Sequence, residues 1–242
     1  MVLPRLYAIL DPALFSDLEA VFGAAGDLVA AGCTLIQYRN KSGNARVMLE
    51  QARELRKRLQ SLDSQFSQYR REVGAPSSER DTQRQNPNPL AKSATRIGQS
   101  SIRLIMNDRA DLCLAAECDG VHVGQDDLSA ESVRRIIGPD RLLGVSTHNP
   151  EQLREADLTS ANYLAIGPVF ATSSKQNPDP VVGLEGVRRA QALTRKPLVA
   201  IGGITRANAV SVIDAGADAV AVISDLMPDP RKSAEEFLRI LR

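Results

Sequence analysis

The chain has 242 residues, 43% of them hydrophobic and 24% charged, which suits one globular domain with a sizeable core. Its 30 Lys and Arg against 29 Asp and Glu leave a formal charge of +1, so bulk electrostatics gives no reason to expect nucleic acid or an anionic membrane, and an anionic substrate must be held by a local cluster. The 3 cysteines match no zinc or redox spacing and read as reduced thiols of a cytoplasmic protein, and no apolar run approaches the roughly 20 residues that span a bilayer.

Short Val/Ile/Leu-rich runs occur at 6–10, 34–38, 103–106, 120–123, 142–145, 163–166, 198–201 and 219–223. The N-terminal apolar patch that holds the first run is broken by Pro4 and Arg5 and lacks a long apolar h-region, so it reads as a strand and not as a signal peptide. All are continuously apolar, the pattern of strands buried on both faces in a parallel sheet. Amphipathic segments alternate with them at 17–31, 45–62, 110–116, 130–137, 150–156, 183–193, 207–214 and 231–241. Such alternation predicts a single (β/α)₈ TIM barrel over 1–242, with an open doubly wound sheet as the structural alternative. One stretch, 63–100, is polar, rich in Ser, Gln, Arg, Asn and Pro, and without periodicity. It is expected to be a flexible insertion between helix 2 and strand 3, on the N-terminal face of the barrel.

Active sites of this fold sit at the C-terminal ends of the strands. The second run leads into Gln37, Arg39 and Lys41, which alternate and therefore point the same way in extended chain. They form a candidate polyanion clamp, the alternative being a solvated charged loop. Asn107 and Asp108 follow the third run, and Gln125, Asp126 and Asp127 follow the fourth. Asp108 and Asp127 are the candidate Mg²⁺ ligands, with helix capping as the competing role, most of all at Asp127 ahead of Leu128 and Ser129. Ser146 ends the fifth run, and Thr172, Ser174 and Lys175 follow the sixth as candidate pyrophosphate ligands in what could also be an ordinary polar loop. Gly202 and Gly203 follow the seventh, and Ile223 and Ser224 close the eighth, where barrels of this kind place a phosphate. His122, between two valines, reads as a packed, hydrogen-bonded residue; neither it nor His148 is assigned a catalytic role, and the basic run 53–58 reads as a solvated helix face. The inventory implies a monophosphate, a diphosphate and a magnesium ion, hence two substrates joined as pyrophosphate departs.

These residues resemble the thiamine-phosphate synthase family. The resemblance lies in Gln37-x-Arg39-x-Lys41, Asn107-Asp108-Arg109 and Gly120-x-His122-x-Gly124-Gln125-x-Asp127, then in Gly144-Val145-Ser146-Thr147-His148, Gly167-Pro168-Val169-Phe170 with Thr172-x-Ser174-Lys175, Ala200-Ile201-Gly202-Gly203-Ile204 and Val222-Ile223-Ser224. It covers the chain except 63–100, which is not typical of the family. Ser174 stands where a second threonine is usual, and Ala171 and Ser173 where prolines are common. The resemblance implies condensation of hydroxymethylpyrimidine diphosphate with a thiazole phosphate, releasing pyrophosphate. Gln37, Arg39, Lys41, Asn107, Thr172, Ser174 and Lys175 would hold the diphosphate substrate, and Asp108 and Asp127 the Mg²⁺. Ser146 would lie near the reacting pyrimidine, and Gly203, Ile223 and Ser224 would bind the thiazole phosphate. Lys175, Arg39 and Ser146 would then be the catalytic set. The alternatives are a thiazole tautomerase-like paralogue, which needs no diphosphate clamp or metal pair, and a non-catalytic barrel that binds thiamine precursors. The expected partners are small-molecule substrates, with no nucleic acid, no membrane and room for a homo-oligomer.

Overall fold

The computed structural model describes residues 1–72, 102–172 and 179–242. Eight parallel strands close in sequence order into a barrel: β1 (Leu6–Leu10), β2 (Leu35–Tyr38), β3 (Arg103–Asn107), β4 (Gly120–Val123), β5 (Leu142–Thr147), β6 (Tyr163–Ile166), β7 (Leu198–Ile201) and β8 (Ala219–Val222). The outer ring is α1 (Leu18–Ala30), α2 (Ala45–Glu72), α3 (Ala110–Ala115), α4 (Ala130–Ile137), α5 (Pro150–Asp157), α6 (Gly183–Leu193), α7 (Ala209–Asp214) and α8 (Pro230–Ile240). The closed alternative of the sequence reading therefore holds, and the open sheet does not.

Alternation along each strand separates two cores. One set of side chains, including Leu10, Ile36, Leu104 and Val121, packs outward under the helices. The other set fills the barrel: Leu3, Leu35, Ile105, Leu142, Val199 and Ala219 with Tyr7 and Tyr163. Gln37, Asn107 and His122 are buried at the strand ends beyond this plug. The apolar side chains thus sit deep in the barrel and the polar ones towards its C-terminal mouth, the division expected of a fold that places its chemistry there.

Local signals explain the helix starts. Asp17, Ser129, Asn149 and Asp229 cap α1, α4, α5 and α8 through side-chain bonds to backbone N–H groups. Helix α2 corrects the sequence reading. It was expected to end at Leu62, yet Asp63 and the residues up to Glu72 continue it. These residues are polar, which mimicked a loop, but they include good helix formers such as Gln65, Gln68, Arg70 and Arg71 and no glycine or proline. The remainder of the stretch read as an insertion lies outside the described residues. The basic run on α2 is likewise more than a solvated face. Arg56 makes a bidentate pair with Asp119, whose carboxylate also accepts the Leu104 amide at 2.8 Å, tying α2 to the entries of β3 and β4. Arg58 pairs with Glu19 and Glu54 and lies 4.3 Å above the Phe22 ring of α1. At the other end of the barrel, β8 stops at Val222, one residue earlier than expected, and Ile223 begins a 3-10 turn over Ser224–Leu226.

Candidate active site

A cavity of about 490 Å³ opens at the C-terminal mouth of the barrel, within the range of small-molecule sites. Of the residues predicted from sequence, Gln37, Arg39, Lys41, Asn107, Asp108, Asp127, Ser146, Thr172 and Ile223 line it. Gly203 and Ser224 adjoin lining residues Gly202 and Ile223 without themselves lining the main volume. Ser174 and Lys175 lie outside the described residues, between Thr172 and Asp179, which both line the cavity.

The wall formed by β2, β3 and β4 carries the charges. Arg39 is ion-paired with Asp11 at the end of β1, and Lys41 with Asp108 at the end of β3. The loop bearing these cations is braced from behind: Asn40 Nδ2 donates to the Tyr38 hydroxyl and to Gln51 Oε1 of α2 at 2.9 and 3.0 Å. Asp108 adopts a left-handed backbone, φ 61°, which Asp and Asn tolerate better than most residues. Asp127 does not cap α4, a role Ser129 fills; its carboxylate instead accepts the Gly124 amide at 2.7 Å. Burial, with the neighbouring Asp108 charge as a lesser cause, holds the Asp127 carboxyl above the usual carboxylate range. Two adjacent carboxylates, one reluctant to ionise, suit a hard cation that keeps waters and shares substrate oxygens. Among the described residues no larger cluster of His, Cys, Asp and Glu could cage a metal. Asp108 and Asp127 thus offer the kind of donor set that would suit a magnesium ion.

The opposite wall, at the ends of β7 and β8, is built of close backbone. Gly202 and Gly203 have φ of 99° and 63°, and a Cβ at Gly203 would stand 2.5 Å from the Ala171 carbonyl. The loop after β6 is hydrogen-bonded to this wall, Val169 N–H to Ile201 O at 2.9 Å and Phe170 N–H to Gly202 O at 3.0 Å.

Between the walls lie residues that sequence reasoning passed over. His122 is bonded on both ring nitrogens, to Tyr163 and to Ser146, and so is packed as expected, but it also lines the cavity. Tyr7 and Tyr163 sit inside apolar runs, where an aromatic reads as core. Asp11 directly follows the first run, so the rule of inspecting strand ends would have found it. His148 Nδ1 lies 2.6 Å from the Gly167 carbonyl oxygen, which leaves its ring at the cavity edge, 3.5 Å from Asp179.

Burial pushes the His122 imidazole down to about pKa 4. The folded value lies below the unfolded one, so this residue's contribution is fully present above pH ~6.5 and is lost as pH falls through about 4. The shift corresponds to roughly 3 kcal/mol at the acid end. Denaturant titrations should show stability declining across that window, with a shallower decline in His122→Asn. A decline of equal slope in the variant would remove His122 as its source.

A family model described as thiamine monophosphate synthase matches residues 68–226. A thiamine-phosphate synthase of Koribacter versatilis is 50% identical over 242 residues, covering 99% of this chain and 96% of that one. The thiamine-phosphate synthase of Chloroflexus aurantiacus is 38% identical over 240 residues, 98% of this chain and 92% of its own. Among solved structures, thiamine phosphate pyrophosphorylase from Pyrococcus furiosus superimposes with a TM-score of 0.73 at 30% identity, covering 98% of this chain and 95% of that one.

Proposed function

Because this chain belongs to the thiamine monophosphate synthase family and its activity is that of a thiamine-phosphate synthase, we propose that it condenses hydroxymethylpyrimidine diphosphate with a thiazole phosphate in a magnesium-dependent reaction. The observation that carries this reading is the pairing of opposed walls across one cavity: Arg39, Lys41, Asp108 and Asp127 on one side and the Gly202–Gly203 turn on the other. The bond from the pyrimidine methylene to the diphosphate oxygen breaks, pyrophosphate takes the electron pair, and the thiazole nitrogen bonds the methylene carbon. The product nitrogen becomes cationic and no proton is lost, so a general base is not required. Arg39 and Lys41 stabilise the departing charge. Asp108 and Asp127 would hold Mg²⁺, which when bound supplies further neutralisation of the pyrophosphate. Gly203, Ile223 and Ser224 would bind the thiazole phosphate, and Thr172, Ser174 and Lys175 would complete the diphosphate site. No described helix is long and apolar enough to cross a membrane. We place the enzyme in the cytoplasm.

The deciding experiment mixes the two substrates with the protein and Mg²⁺ and follows thiamine phosphate and pyrophosphate; absence of both products overturns the proposal. Variants then separate the two sites. Lys41→Ala removes a charge-assisted bond of about 1.5–3 kcal/mol and should lower kcat/KM for the diphosphate about 10- to 100-fold, with thiazole phosphate affinity nearly unchanged. Ser224→Ala should weaken thiazole phosphate about tenfold and leave the diphosphate alone. A larger loss of thiazole phosphate affinity in the lysine variant would mean the two sites are exchanged or merged.

A further inference from the structure

Five polar side chains form one file across the barrel. Gln37 Nε2 donates to the Tyr7 hydroxyl at 2.9 Å, and the Tyr7 and Tyr163 hydroxyls lie 3.0 Å apart. The Tyr163 hydroxyl is 3.1 Å from His122 Nδ1, and His122 Nε2 is 2.8 Å from Ser146 Oγ. Tyr7, Tyr163, Gln37 and His122 are all buried. The backbone is shaped to this file: Gly144 lies between His122 and Tyr163 in the strand register, and a Cβ there would meet Tyr163 Cζ at 2.2 Å and His122 Nδ1 at 2.4 Å.

A hydroxyl has one hydrogen to donate, so the donor at one end sets the direction of the whole file. Tyr7 accepts from Gln37, which leaves its hydrogen for Tyr163. Tyr163 then donates to His122 Nδ1. At pH 8 an imidazole is neutral, and with Nδ1 accepting from Tyr163 its single proton resides on Nε2 and is donated to Ser146 Oγ. The serine hydrogen has no other partner among the described residues and is available to the cavity that Ser146 lines. In the reverse direction Tyr7 would accept from both Gln37 and Tyr163. Its own hydrogen would then be a buried donor without a protein acceptor, an arrangement folded proteins avoid.

We propose that Gln37, Tyr7 and Tyr163 are positioning residues that fix His122 as its Nε2–H tautomer, so that Ser146 meets the bound heteroaromatic ring as a hydrogen-bond donor. Such a site selects a ring nitrogen acceptor at that point and disfavours an amino or N–H group there. This last step rests on the proposed function; the tautomer does not.

The test is long-range proton–nitrogen correlation on protein labelled with ¹⁵N-histidine, read at pH 8. The chain has only 2 histidines, and the spectrum of His122→Asn assigns them. His122 should show an unprotonated Nδ1 and a protonated Nε2. Tyr163→Phe should move the Nδ1 signal downfield as it loses its donor, and lower kcat about tenfold with the KM for thiazole phosphate unchanged. A protonated Nδ1 in the unaltered protein overturns the proposal, as does an Nδ1 signal that ignores the loss of the Tyr163 hydroxyl. The spectrum is taken on free protein, so it decides the tautomer even if the condensation assay fails.

Discussion

Asp108→Asn is expected to lower turnover by at least ~100-fold, corresponding to about 3 kcal/mol of transition-state stabilisation, while leaving the barrel intact. The substitution isolates charge. Position 108 has φ 61°, a conformation that asparagine adopts readily, whereas Asp108→Ala would add backbone strain of ~1–2 kcal/mol. The amide side chain keeps the volume and loses the anion that pairs with Lys41 and faces Asp127. Removing that anion also withdraws one cause of the raised Asp127 pKa, so the remaining carboxyl ionises more readily. The consequence can be read without turnover. In the unaltered protein, Mg²⁺ with pyrophosphate should raise the melting temperature by mass action, and in Asp108→Asn that rise should largely vanish. Full activity at low Mg²⁺, or an unchanged stabilisation, would end the assignment of Asp108 to the metal.

Gly203→Ala is expected to destabilise the protein by roughly 3 kcal/mol and to weaken thiazole phosphate binding. Two costs combine. A non-glycine residue at φ 63° carries ~1–2 kcal/mol, and a Cβ 2.5 Å from the Ala171 carbonyl and 2.8 Å from Phe170 Cβ forces overpacking worth ~1–3 kcal/mol. For a chain of this size about 3 kcal/mol lowers the melting temperature by ~10 °C. Gly183→Ala serves as the control. Gly183 has nearly the same φ, 64°, but nothing lies within 4 Å of the added carbon, so only the backbone cost applies. If both variants melted within a degree or two of each other, the close approach at Gly203 would be unimportant to the fold.

Much of this was legible in the sequence because the barrel's strands are buried on both faces. Continuous apolar runs such as Leu104–Met106 and Leu164–Ile166 have no competing interpretation as loops. Charged residues directly after such runs must lie at the mouth, which is how Arg39, Lys41, Asp108 and Asp127 came to be grouped. Residues inside the runs were opaque for the same reason. Tyr7 and Tyr163 are aromatic members of apolar runs, and nothing in one dimension reveals that their hydroxyls meet across the barrel at 3.0 Å. His122 was placed correctly as a packed residue, but its two partners, Tyr163 and Ser146, are 41 and 24 positions away and come together only through strand register. Helix α2 was shortened for a different cause. Its extension carries Phe66 and Tyr69 at helical spacing from Leu59 and Leu62, but that short periodic signal runs directly into the long polar stretch after it and was read as part of it.

The vacancy of a side chain at Gly144 also bears on how this barrel can change. Any larger residue at 144 collides with Tyr163 and His122, so it demands a smaller partner at 163 in the same step. Shortening Tyr163 first leaves the His122 ring nitrogen and the Tyr7 hydroxyl each short of a partner. Either single step descends into a fitness valley. Positions 144 and 163 should therefore behave as an epistatic pair, with Gly144→Ala combined with Tyr163→Leu, which removes the ring carbon that the new Cβ would meet at 2.2 Å, tolerated better than the sum of the single variants predicts.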